Sequence, residues 1–485
     1  MDPKSVPIQA VLIGAGQRGG DAYGPYALAH ADQVRFVAVA EPDEKRRRSF
    51  ASRHHIPLEN QFSTWEDLLA KPALGEAALV CTQDWQHVQP TLAALRAGYH
   101  ILLEKPMATT ETDCLRLVQA SQETGRQLHI CHVLRYTHHF KLMREIIQSG
   151  KLGEVIDVDH RENVAFWHMA HSYVRGNWRN SGQSSPMILA KCCHDLDILP
   201  WVLGRRCESL SSVGELTHFK AENAPAGAPA RCLDGCPASQ TCPYFAPWLY
   251  LQLTPLWRSF VDTASGPEKA IMQVYLRAPW LIRLFSPLSA DLHRLAHFQE
   301  WPVSVLTDDP TLENLLEALR SGPYGRCVYH CDNDVVDHQV VSMKFTGGLS
   351  VSLSMHGHSH NEYRTTRIEG TRGRLLAEFG LGGSWIQVDE HRSDRRTRYN
   401  TGAGTGSGHG GGDFELMAAF VDSIRRGDAG TARTTVGQAL ESHLMAFAAE
   451  RARLEGRVVR LGQDGVQLNR TPRDASKDNV TLEGT

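Results

Sequence analysis

Two side chains of this sequence have the chemistry for proton transfer beside a polarised oxygen. Lys105 follows an apolar run in YHILLEKP (99–106), and His194 stands three residues before Asp197 in PMILAKCCHDLDILPWVLG (186–204). A lysine can stabilise charge that develops on a hydroxyl or carbonyl oxygen. An imidazole titrates near neutral pH and can take up the hydroxyl proton. If the fold brings both to one cleft, the pair predicts redox chemistry at an alcohol carbon.

The surroundings of His194 are polar inside an otherwise apolar stretch. At about 100° per residue, a helix places Lys191, His194 and Asp195 on one face, with Asp197 flanking His194. We therefore expect Asp197 to orient the imidazole and Lys191 to belong to the same site. The alternative is that His194 and Asp197 form a buried, hydrogen-bonded pair that only stabilises the position of the helix.

A third group of residues is typical of dinucleotide binding. The glycines of Gly14-x-Gly16-x-x-Gly19 end the apolar run IQAVLI (8–13), and Glu41 ends the next apolar run. Such glycines allow a tight turn, close approach of the pyrophosphate and close packing of a helix on the strand. An acidic residue at the end of the second strand binds the ribose hydroxyls. Because a carboxylate repels a 2′-phosphate, Glu41 favours NAD, whereas the arginines of 46–48 leave NADP open.

The elements that would position these residues alternate along the first third of the chain. Apolar runs that read as buried strands alternate with stretches of helical spacing, a pattern that predicts a doubly wound parallel sheet. The predicted strands are 8–13, 34–41, 76–83, 99–106 and 127–134, and the clearest helices are 86–97 and 110–125. Lys105 then lies at the carboxyl end of a strand, where open α/β sheets bind their ligands.

Composition excludes several other classes of protein. The 485 residues carry a formal net charge of −3, with 42% hydrophobic and 22% charged residues. This balance gives no reason to expect nucleic acid or a membrane as a partner, and no apolar run approaches the roughly 18 residues that span a bilayer. We expect a cytoplasmic protein of two or three domains.

Taken together, four stretches resemble the glucose–fructose oxidoreductase, inositol dehydrogenase and MocA (Gfo/Idh/MocA) family. They are VLIGAGQRG, AEPD, CTQDWQHVQPTLAALRAGYHILLEKPMATT and PMILAKCCHDLDILPWVLG. The resemblance implies an N-terminal NAD(P)-binding Rossmann domain (1–133) and a C-terminal α/β domain with an open, mainly antiparallel sheet (134–465). The C-terminal domain would contain a cysteine-rich insertion at about 205–330, and a polar tail (466–485) would follow it. A homo-oligomer is expected by analogy.

The resemblance also implies roles for individual residues. Lys105 and His194 would face the substrate near the nicotinamide. Family members often carry Asp four residues before the histidine, but that position is Ala190 here and the charged residue is Lys191. Two cations and a histidine would suit an acidic or multiply hydroxylated substrate.

Other candidate residues follow strands or fall in an aromatic stretch. The predicted cofactor-binding residues are Gly14, Gly16, Gln17, Arg18, Gly19, Glu41, Thr82, Trp85, His87, Glu104 and Lys105. The predicted substrate-binding residues are Arg135, Tyr136, Trp167, His171, Trp178 and Arg179. Aromatic platforms beside hydrogen-bonding cations suit a sugar ring, whereas packing at a domain edge is the alternative for each of these residues.

Five cysteines in the middle of the chain require a separate explanation. RCLDGCPASQTCPYFAPW contains Cys232, Cys236 and Cys242, and GRCVYHCDND contains Cys327 and Cys331. Four of the five could close a structural zinc site that staples a long loop. An iron–sulfur cluster, unliganded thiols and disulfides are the alternatives.

The leading hypothesis is an NAD(P)-dependent oxidoreductase. It would move a hydride between the nicotinamide and a secondary alcohol of a sugar, sugar acid or cyclitol. A second possibility is a glycoside hydrolase or lyase that oxidises a hydroxyl transiently and then reduces it again. A third is a non-catalytic dinucleotide-binding regulator, which the retention of both Lys105 and His194 argues against.

Overall fold

A computed structural model of the chain describes residues 6–252, 301–307, 309–380, 383–402, 409–431 and 433–462, with scattered residues between 261 and 287. The predicted tail at 466–485 lies outside the described residues, and the predicted insertion at 205–330 is described in part. Among the helices of the described part, none is both long enough and apolar enough to cross a membrane.

The N-terminal part is built on a six-stranded parallel sheet. Its strands are β1 (Ile8–Ile13), β2 (Val34–Ala40), β3 (Gln61–Phe62), β4 (Ala77–Val80), β5 (His100–Leu103) and β6 (Leu128–Ile130). Their order is β3-β2-β1-β4-β5-β6, and every pair is parallel. The order reverses between β1 and β4, so the carboxyl ends of these two strands flank the crevice in which such sheets bind ligands.

Helices cover the faces of this sheet, which is why its strands read as continuous apolar runs. They are α1 (Gly24–Ala29), α2 (Glu44–Arg53), α3 (Trp65–Leu69), α4 (Val88–Arg96) and α5 (Glu111–Thr124), and a π-helix (Gln17–Tyr23) leads into α1. Helix α5 begins where the Thr110 side chain accepts a hydrogen bond from the N–H of Asp113, and it ends at Gly125 with φ +64°. Side-chain capping and a left-handed glycine explain both ends.

The second sheet is mixed and mainly antiparallel. Its strands are β7 (Val155–Ala165), β8 (Cys207–Glu215), β9 (His338–Phe345), β10 (Ser350–Ser359), β11 (Tyr363–Gly370), β12 (Gly373–Gly380), β13 (Gly383–Glu390), β14 (Arg396–Asn400) and β15 (Val459–Arg460). Their order is β14-β13-β12-β11-β7-β10-β9-β8-β15, and only β7 and β10 pair in parallel among the described strands. Buried and more exposed residues alternate along β10, so one face of the sheet packs on the core.

The C-terminal helix connects the two sheets. It is the last of eight helices described in this part: α6 (His138–Gln148), α7 (Phe166–His168), α8 (Met187–Ala190), α9 (Cys193–Leu203), α10 (Trp280–Phe285), α11 (Leu312–Ser321), α12 (Gly412–Arg426) and α13 (Val436–Glu455). Helix α13 packs against α5 and β6 on one side and against α9 and β8 on the other. Ala439 and Met445 accordingly belong to different hydrophobic clusters.

The predicted fold class is confirmed, with a doubly wound parallel sheet followed by an open, mainly antiparallel one. The two-residue strand β3 was not predicted, because so short a stretch carries no periodicity. The proposed domain limits at 133 and 465 stay predictions.

Candidate active site

The glycine turn after β1 has the geometry that a dinucleotide requires. Gly14 adopts φ +94°, and a Cβ there would come within 2.5 Å of the Cys81 carbonyl oxygen. A Cβ on Gly19 would overlap the carbonyl oxygen of Gly14 and the side chain of Leu12. A Cβ added to Gly16, in contrast, would have no other atom within 4 Å in the described part of the structure. The turn is therefore tightly packed around Gly14 and Gly19 and open over Gly16, where a pyrophosphate could approach the backbone.

Glu41 lies beside this turn at the end of β2. One of its carboxylate oxygens accepts a hydrogen bond from the N–H of Ala15 at 2.8 Å, and the other accepts one from the N–H of Asp43 at 3.0 Å. Arg46 Nη2 lies 3.3 Å from the same carboxylate. The structure thus places the acidic residue next to the glycine turn, with an arginine at its edge. Gln17 is exposed on the π-helix that follows the turn.

Arg18 and Glu104 bind each other in a network between the glycine turn and the end of β5. Arg18 Nε donates to Glu104 Oε1 at 2.7 Å, and Arg18 Nη2 donates to Asp413 of α12 at 2.6 Å. Tyr23 Oη donates to the same Glu104 oxygen at 2.6 Å, and Glu104 Oε2 accepts from the Lys105 N–H at 3.0 Å. The network fixes the backbone from which the Lys105 side chain departs.

The three candidates after β4 differ in exposure. His87 is fully buried, and its ring nitrogens lie 2.7 Å from the Pro106 carbonyl oxygen and 3.1 Å from that of Thr82. It therefore ties the loop after β4 to the turn that carries Lys105. Trp85 is 61% exposed at the rim. The buried hydroxyl of Thr82 has no hydrogen-bond partner among the described residues, and this orphaned group and the open space over Gly16 fit a dinucleotide bound across the crevice.

Lys105 follows β5 and His194 lies at the start of α9, and the two residues lie at the same end of the nucleotide crevice. Lys105 Nζ donates to the carbonyl oxygen of Ala190, the last residue of α8, at 3.0 Å. His194 lies in the first turn of α9 and is 7% exposed. Its ring centroid is 5.8 Å from that of buried His132, the residue that introduces the turn after β6. A cation and an imidazole are thus brought together where the nucleotide domain contacts the second sheet.

Lys191 is held by carboxylates. Its ammonium group is hydrogen-bonded to Glu362, from the turn between β10 and β11, and lies 3.4 Å from Glu162 Oε1 on β7. Burial opposes the charge of Lys191, but the two carboxylates outweigh it and raise the pKa of the lysine. Burial likewise opposes ionisation of Glu362, yet the charges of His168 and Lys191 hold its pKa well below the usual value.

His168 completes this group of charges. Its Nδ1 lies 2.9 Å from Glu362 Oε2, which also accepts a hydrogen bond from the Ala165 N–H at 3.1 Å. Burial lowers the pKa of His168, although Glu362 opposes this effect. The site therefore contains a second imidazole–carboxylate pair beside Lys191.

A layer of ion pairs lies beneath these residues. Arg364 contacts Glu162 Oε2 at 2.5 Å and Asp195 Oδ1 at 2.7 Å, and Asp195 also contacts His160 Nε2 at 2.9 Å. Each carboxylate is fully buried, so each needs such a partner. Asp195 thereby fixes α9 to β7 and β11 one residue after His194.

Asp197 and Arg135 bind each other. Arg135 Nε and Nη2 donate to the two carboxylate oxygens of Asp197, both at 2.7 Å, and both side chains are almost fully buried. The described contacts of Asp197 are with Arg135 and with His132, whose Nε2 lies 3.6 Å away. This bidentate ion pair joins the turn after β6 to α9. The orientation of His194 by Asp197 and the contact of Arg135 with substrate stay predictions.

The aromatic candidates divide into packing residues and residues at the cleft edge. Tyr136 is buried and hydrogen-bonded to Thr434. His171 is buried between Tyr250 and Tyr324, and Trp167 packs against Trp301. All three are buried in the described structure, and their contact with substrate stays a prediction.

Two other candidates are fixed by acidic partners. Trp178 Nε1 donates to Asp84 Oδ2 at 2.8 Å, and its ring lies 6.1 Å from that of Tyr173. Arg179 Nε donates to Asp332 at 2.9 Å. Trp178 consequently joins the loop after β4 to the segment that carries His168, at the edge of the cleft.

The predicted zinc site is not established. Among the residues that the structure describes, no three or more His, Cys, Asp or Glu side chains are arranged as a metal centre. All eleven cysteines are free thiols. Cys232, Cys236, Cys242 and Cys327 nevertheless line a single pocket.

The sequence did not indicate two residues of this site, Glu362 and His168. Glu362 follows a strand in the segment HSHNEYR, which matches no motif. His168 lies in the aromatic stretch, where its neighbours Trp167 and His171 were selected instead. Only the folded structure shows that Glu362 reaches Lys191 and that His168 contacts Glu362.

The fold and the crevice define a class of protein, a two-domain oxidoreductase that uses a nicotinamide dinucleotide. Two family models match, the "Oxidoreductase family, NAD-binding Rossmann fold" over residues 8–132 and the "Oxidoreductase family, C-terminal alpha/beta domain" over residues 144–245. The chain therefore belongs to the Gfo/Idh/MocA family of oxidoreductases, as the sequence motifs predicted.

Several characterised or named proteins are similar. The putative oxidoreductase YteT of Bacillus subtilis is 22% identical over 423 residues, which cover 83% of each chain. Inositol 2-dehydrogenase 2 of Saccharopolyspora erythraea is 30% identical over 206 residues, covering 40% of this chain and 53% of that enzyme. The 2,7-anhydro-N-acetylneuraminate hydratase of Escherichia coli is 26% identical over 153 residues, covering 31% of this chain and 40% of the relative.

Solved structures share the fold. A levoglucosan dehydrogenase in complex with NADH has a TM-score of 0.62 and 15% identity, and the match covers 94% of this chain and 99% of that one. At this identity the likeness supports the two-domain architecture alone.

Proposed function

We propose that this protein is an NAD-dependent dehydrogenase that oxidises a secondary alcohol of a sugar, sugar acid or cyclitol. The observation that carries the proposal is the approach of Lys105 Nζ to the Ala190 carbonyl oxygen, four residues before His194. It brings a cation and an imidazole to the carboxyl end of the nucleotide-binding sheet. The name of the inositol dehydrogenase relative agrees with this chemistry.

In the proposed reaction, each of the two residues acts on the substrate hydroxyl. When bound, the nicotinamide supplies the hydride acceptor. Lys105 donates a hydrogen bond to the substrate oxygen and stabilises the charge that develops on it. His194 accepts the hydroxyl proton. The low exposure of His194 keeps water away from the proton transfer.

The charges around Lys191 favour a polyhydroxylated substrate over an acidic one. The sequence suggested two cations beside a histidine, but Glu362 and Glu162 compensate the charge of Lys191. The carboxylate of Glu362 and the imidazole of His168 can instead accept or donate hydrogen bonds to ring hydroxyls.

The test is a panel of sugars, sugar acids and cyclitols with NAD and NADP, followed by absorbance of the reduced cofactor. On the responsive substrate, Lys105→Met and His194→Asn should each lower kcat/KM by about 10²–10⁴-fold. Lys344→Met is the matched control, because Lys344 is exposed on β9 of the second sheet and pairs with Glu208 on β8. Full turnover in Lys105→Met would contradict the proposal.

We expect NAD to be preferred over NADP. The Glu41 carboxylate lies beside the glycine turn and would repel a 2′-phosphate, although Arg46 at its edge could pair with one. Glu41→Gln should therefore lower the ratio of kcat/KM with NAD to kcat/KM with NADP at least tenfold. Glu44→Gln is the matched control, because it neutralises a carboxylate on the exposed face of α2, where Glu44 pairs with Arg48.

A second candidate function is a redox-neutral elimination or hydration, in which a hydroxyl is oxidised transiently and reduced again by the same cofactor. The hydratase relative favours it, and the His168–Glu362 pair would supply a second acid–base group. Conversion of a glycoside or anhydrosugar without accumulation of NADH would identify this reaction, whereas stoichiometric NADH would identify the dehydrogenase.

The proposal also covers the cellular compartment and the oligomeric state of the enzyme. The eleven free thiols agree with a reducing cytoplasm. A homo-oligomer is expected, and sedimentation of the purified protein would test it.

A further inference from the structure

Four cysteines from two separate segments surround one pocket. Cys232, Cys236 and Cys242 belong to the first segment and Cys327 to the second. All four are reduced. The free volume of the pocket is about 10 Å³, which is room for one atom-sized occupant.

Backbone hydrogen bonds hold the two segments side by side. Arg231 and Arg326 form an antiparallel bridge. Next to it, the Cys232 N–H donates to the Gly325 carbonyl oxygen at 3.0 Å, and the Cys327 N–H donates to the Ala230 carbonyl oxygen at 2.8 Å. This short ladder fixes Cys232 and Cys327 as neighbours although they are far apart in sequence.

Zinc binds cysteines as thiolates, so a metal ion in this pocket requires sulfur atoms that carry negative charge.

A buried arginine in the pocket wall independently requires that charge. Arg175 is fully buried, and its described partners are the carbonyl oxygens of Arg326 and Tyr244, the Tyr250 hydroxyl and Cys232 Sγ at 3.6 Å. Its Nη1 is buried without a hydrogen-bond partner. In the described part of the chain it forms no ion pair with a carboxylate. A buried guanidinium without a counter-charge is costly, and thiolates are the groups at hand.

We propose that Cys232, Cys236, Cys242 and Cys327 bind one zinc ion as thiolates. Four thiolates around a divalent cation leave a net negative charge that Arg175 offsets. A closed set of four cysteines is typical of structural zinc, and the small free volume fits a single ion better than an iron–sulfur cluster. Since the thiols are not arranged as a metal centre in the structure, binding has to draw the loop of Cys236 and Cys242 inward.

The fifth cysteine lies outside this group. Cys331 does not line the pocket, and its Sγ donates to the Cys327 carbonyl oxygen at 3.3 Å. It therefore provides a matched control within the same segment.

The metal would stabilise one wall of the cleft rather than act on substrate. Arg175 is the last residue of the π-helix Met169–Arg175, which also carries Tyr173. The Tyr173 ring lies 5.8 Å from that of His168, so this segment borders the candidate site. The zinc inference does not depend on which reaction the site performs.

The experiment is metal analysis of the full-length protein after exhaustive dialysis against a metal-scavenging resin. We expect one zinc per chain, no acid-labile sulfide, and loss of the zinc in Cys242→Ser but not in Cys331→Ser. Absence of metal from the wild-type protein, equal loss in both variants, or iron with sulfide in place of zinc would overturn the proposal.

A measurement on the wild-type protein guards against variants that fail to fold. Titration with an organomercurial in the presence of a zinc indicator should release the ion together with the reaction of four thiols. The chelated protein should unfold at a lower temperature than the zinc-loaded one. Zinc that leaves under resin alone, with no change in thermal unfolding, would show an adventitious ion and would also overturn the proposal.

Discussion

Lys191 and Glu362 form an ion pair at the edge of the candidate active site, although 171 positions separate them in the chain. The pair gives Lys191, the residue after Ala190, a counter-charge within the site. Here a carboxylate reaches the site from the turn between β10 and β11, and Lys191 and His168 hold it there.

This ion pair should show strong energetic coupling. Lys191→Met would remove a cation that Glu162 and Glu362 share, but Glu162 keeps Arg364 and Glu362 keeps His168. We expect it to destabilise the protein by about 1–3 kcal/mol. Glu362→Gln should cost less, since Lys191 retains Glu162. In chemical denaturation of both single variants and the double variant, we expect a coupling energy of about 1–3 kcal/mol. Additive effects would show that the two groups are independent.

The glycines of the first turn should separate cofactor binding from folding. Gly16 has φ −72° and open space over its Cα, so Gly16→Ala should unfold like the wild type but bind the dinucleotide at least tenfold more weakly. Gly19→Ala places a methyl group against backbone and should cost about 1–3 kcal/mol of stability. Calorimetry and cofactor titration on both variants make the comparison. Unchanged affinity in Gly16→Ala would place the pyrophosphate elsewhere.

The sequence predicts the features of this protein that are encoded locally. Continuous apolar runs identify the parallel strands because both faces of that sheet are covered, and the glycine turn is contained within six residues. The contacts of Lys191 and Asp197 could not be predicted in this way. Glu362 reaches Lys191 only because β10 and β11 both pair with β7, and Arg135 reaches Asp197 from another sheet. Helical spacing shows which residues share a face but not what packs against that face.

The Arg135–Asp197 pair should be a stabilising contact and not part of the proton relay. Asp197→Asn leaves the buried guanidinium uncompensated, so we expect a loss of about 3–5 kcal/mol in the free energy of unfolding. The pH profile of kcat should keep its shape, because the described partners of Asp197 are Arg135 and His132. Asp159→Asn, at a partly exposed ion pair with Arg161, is the control and should stay within about 0.5 kcal/mol. A shifted kcat profile in Asp197→Asn would restore its predicted role in orienting the imidazole.

Stability should fall as the solution becomes mildly acidic. Burial lowers the pKa of His129 to about 4 and the pKa values of His139 and His443 to about 3, so all three stay neutral in the folded protein. In the unfolded chain they titrate near pH 6.5. Above that pH neither state is protonated and these residues contribute no pH dependence. Below pH 6.5 these histidines bind protons in the unfolded state but not in the folded state, so stability is lost progressively between about pH 6.5 and pH 4.

The size of this effect can be bounded and measured. Each histidine contributes at most about 1.4 kcal/mol per pH unit, and urea unfolding at pH 8, 7, 6 and 5 would give the slope. Carboxylates with lowered pKa values, such as Glu362, add to the loss only at lower pH. His139→Phe removes one titrating group from a site already packed against Phe140 and Phe379. The unfolding free energy of this variant should therefore depend less steeply on pH, by the uptake of about one proton fewer on unfolding. A stability that is constant from pH 7 to pH 5 would mean that these imidazoles become protonated without unfolding.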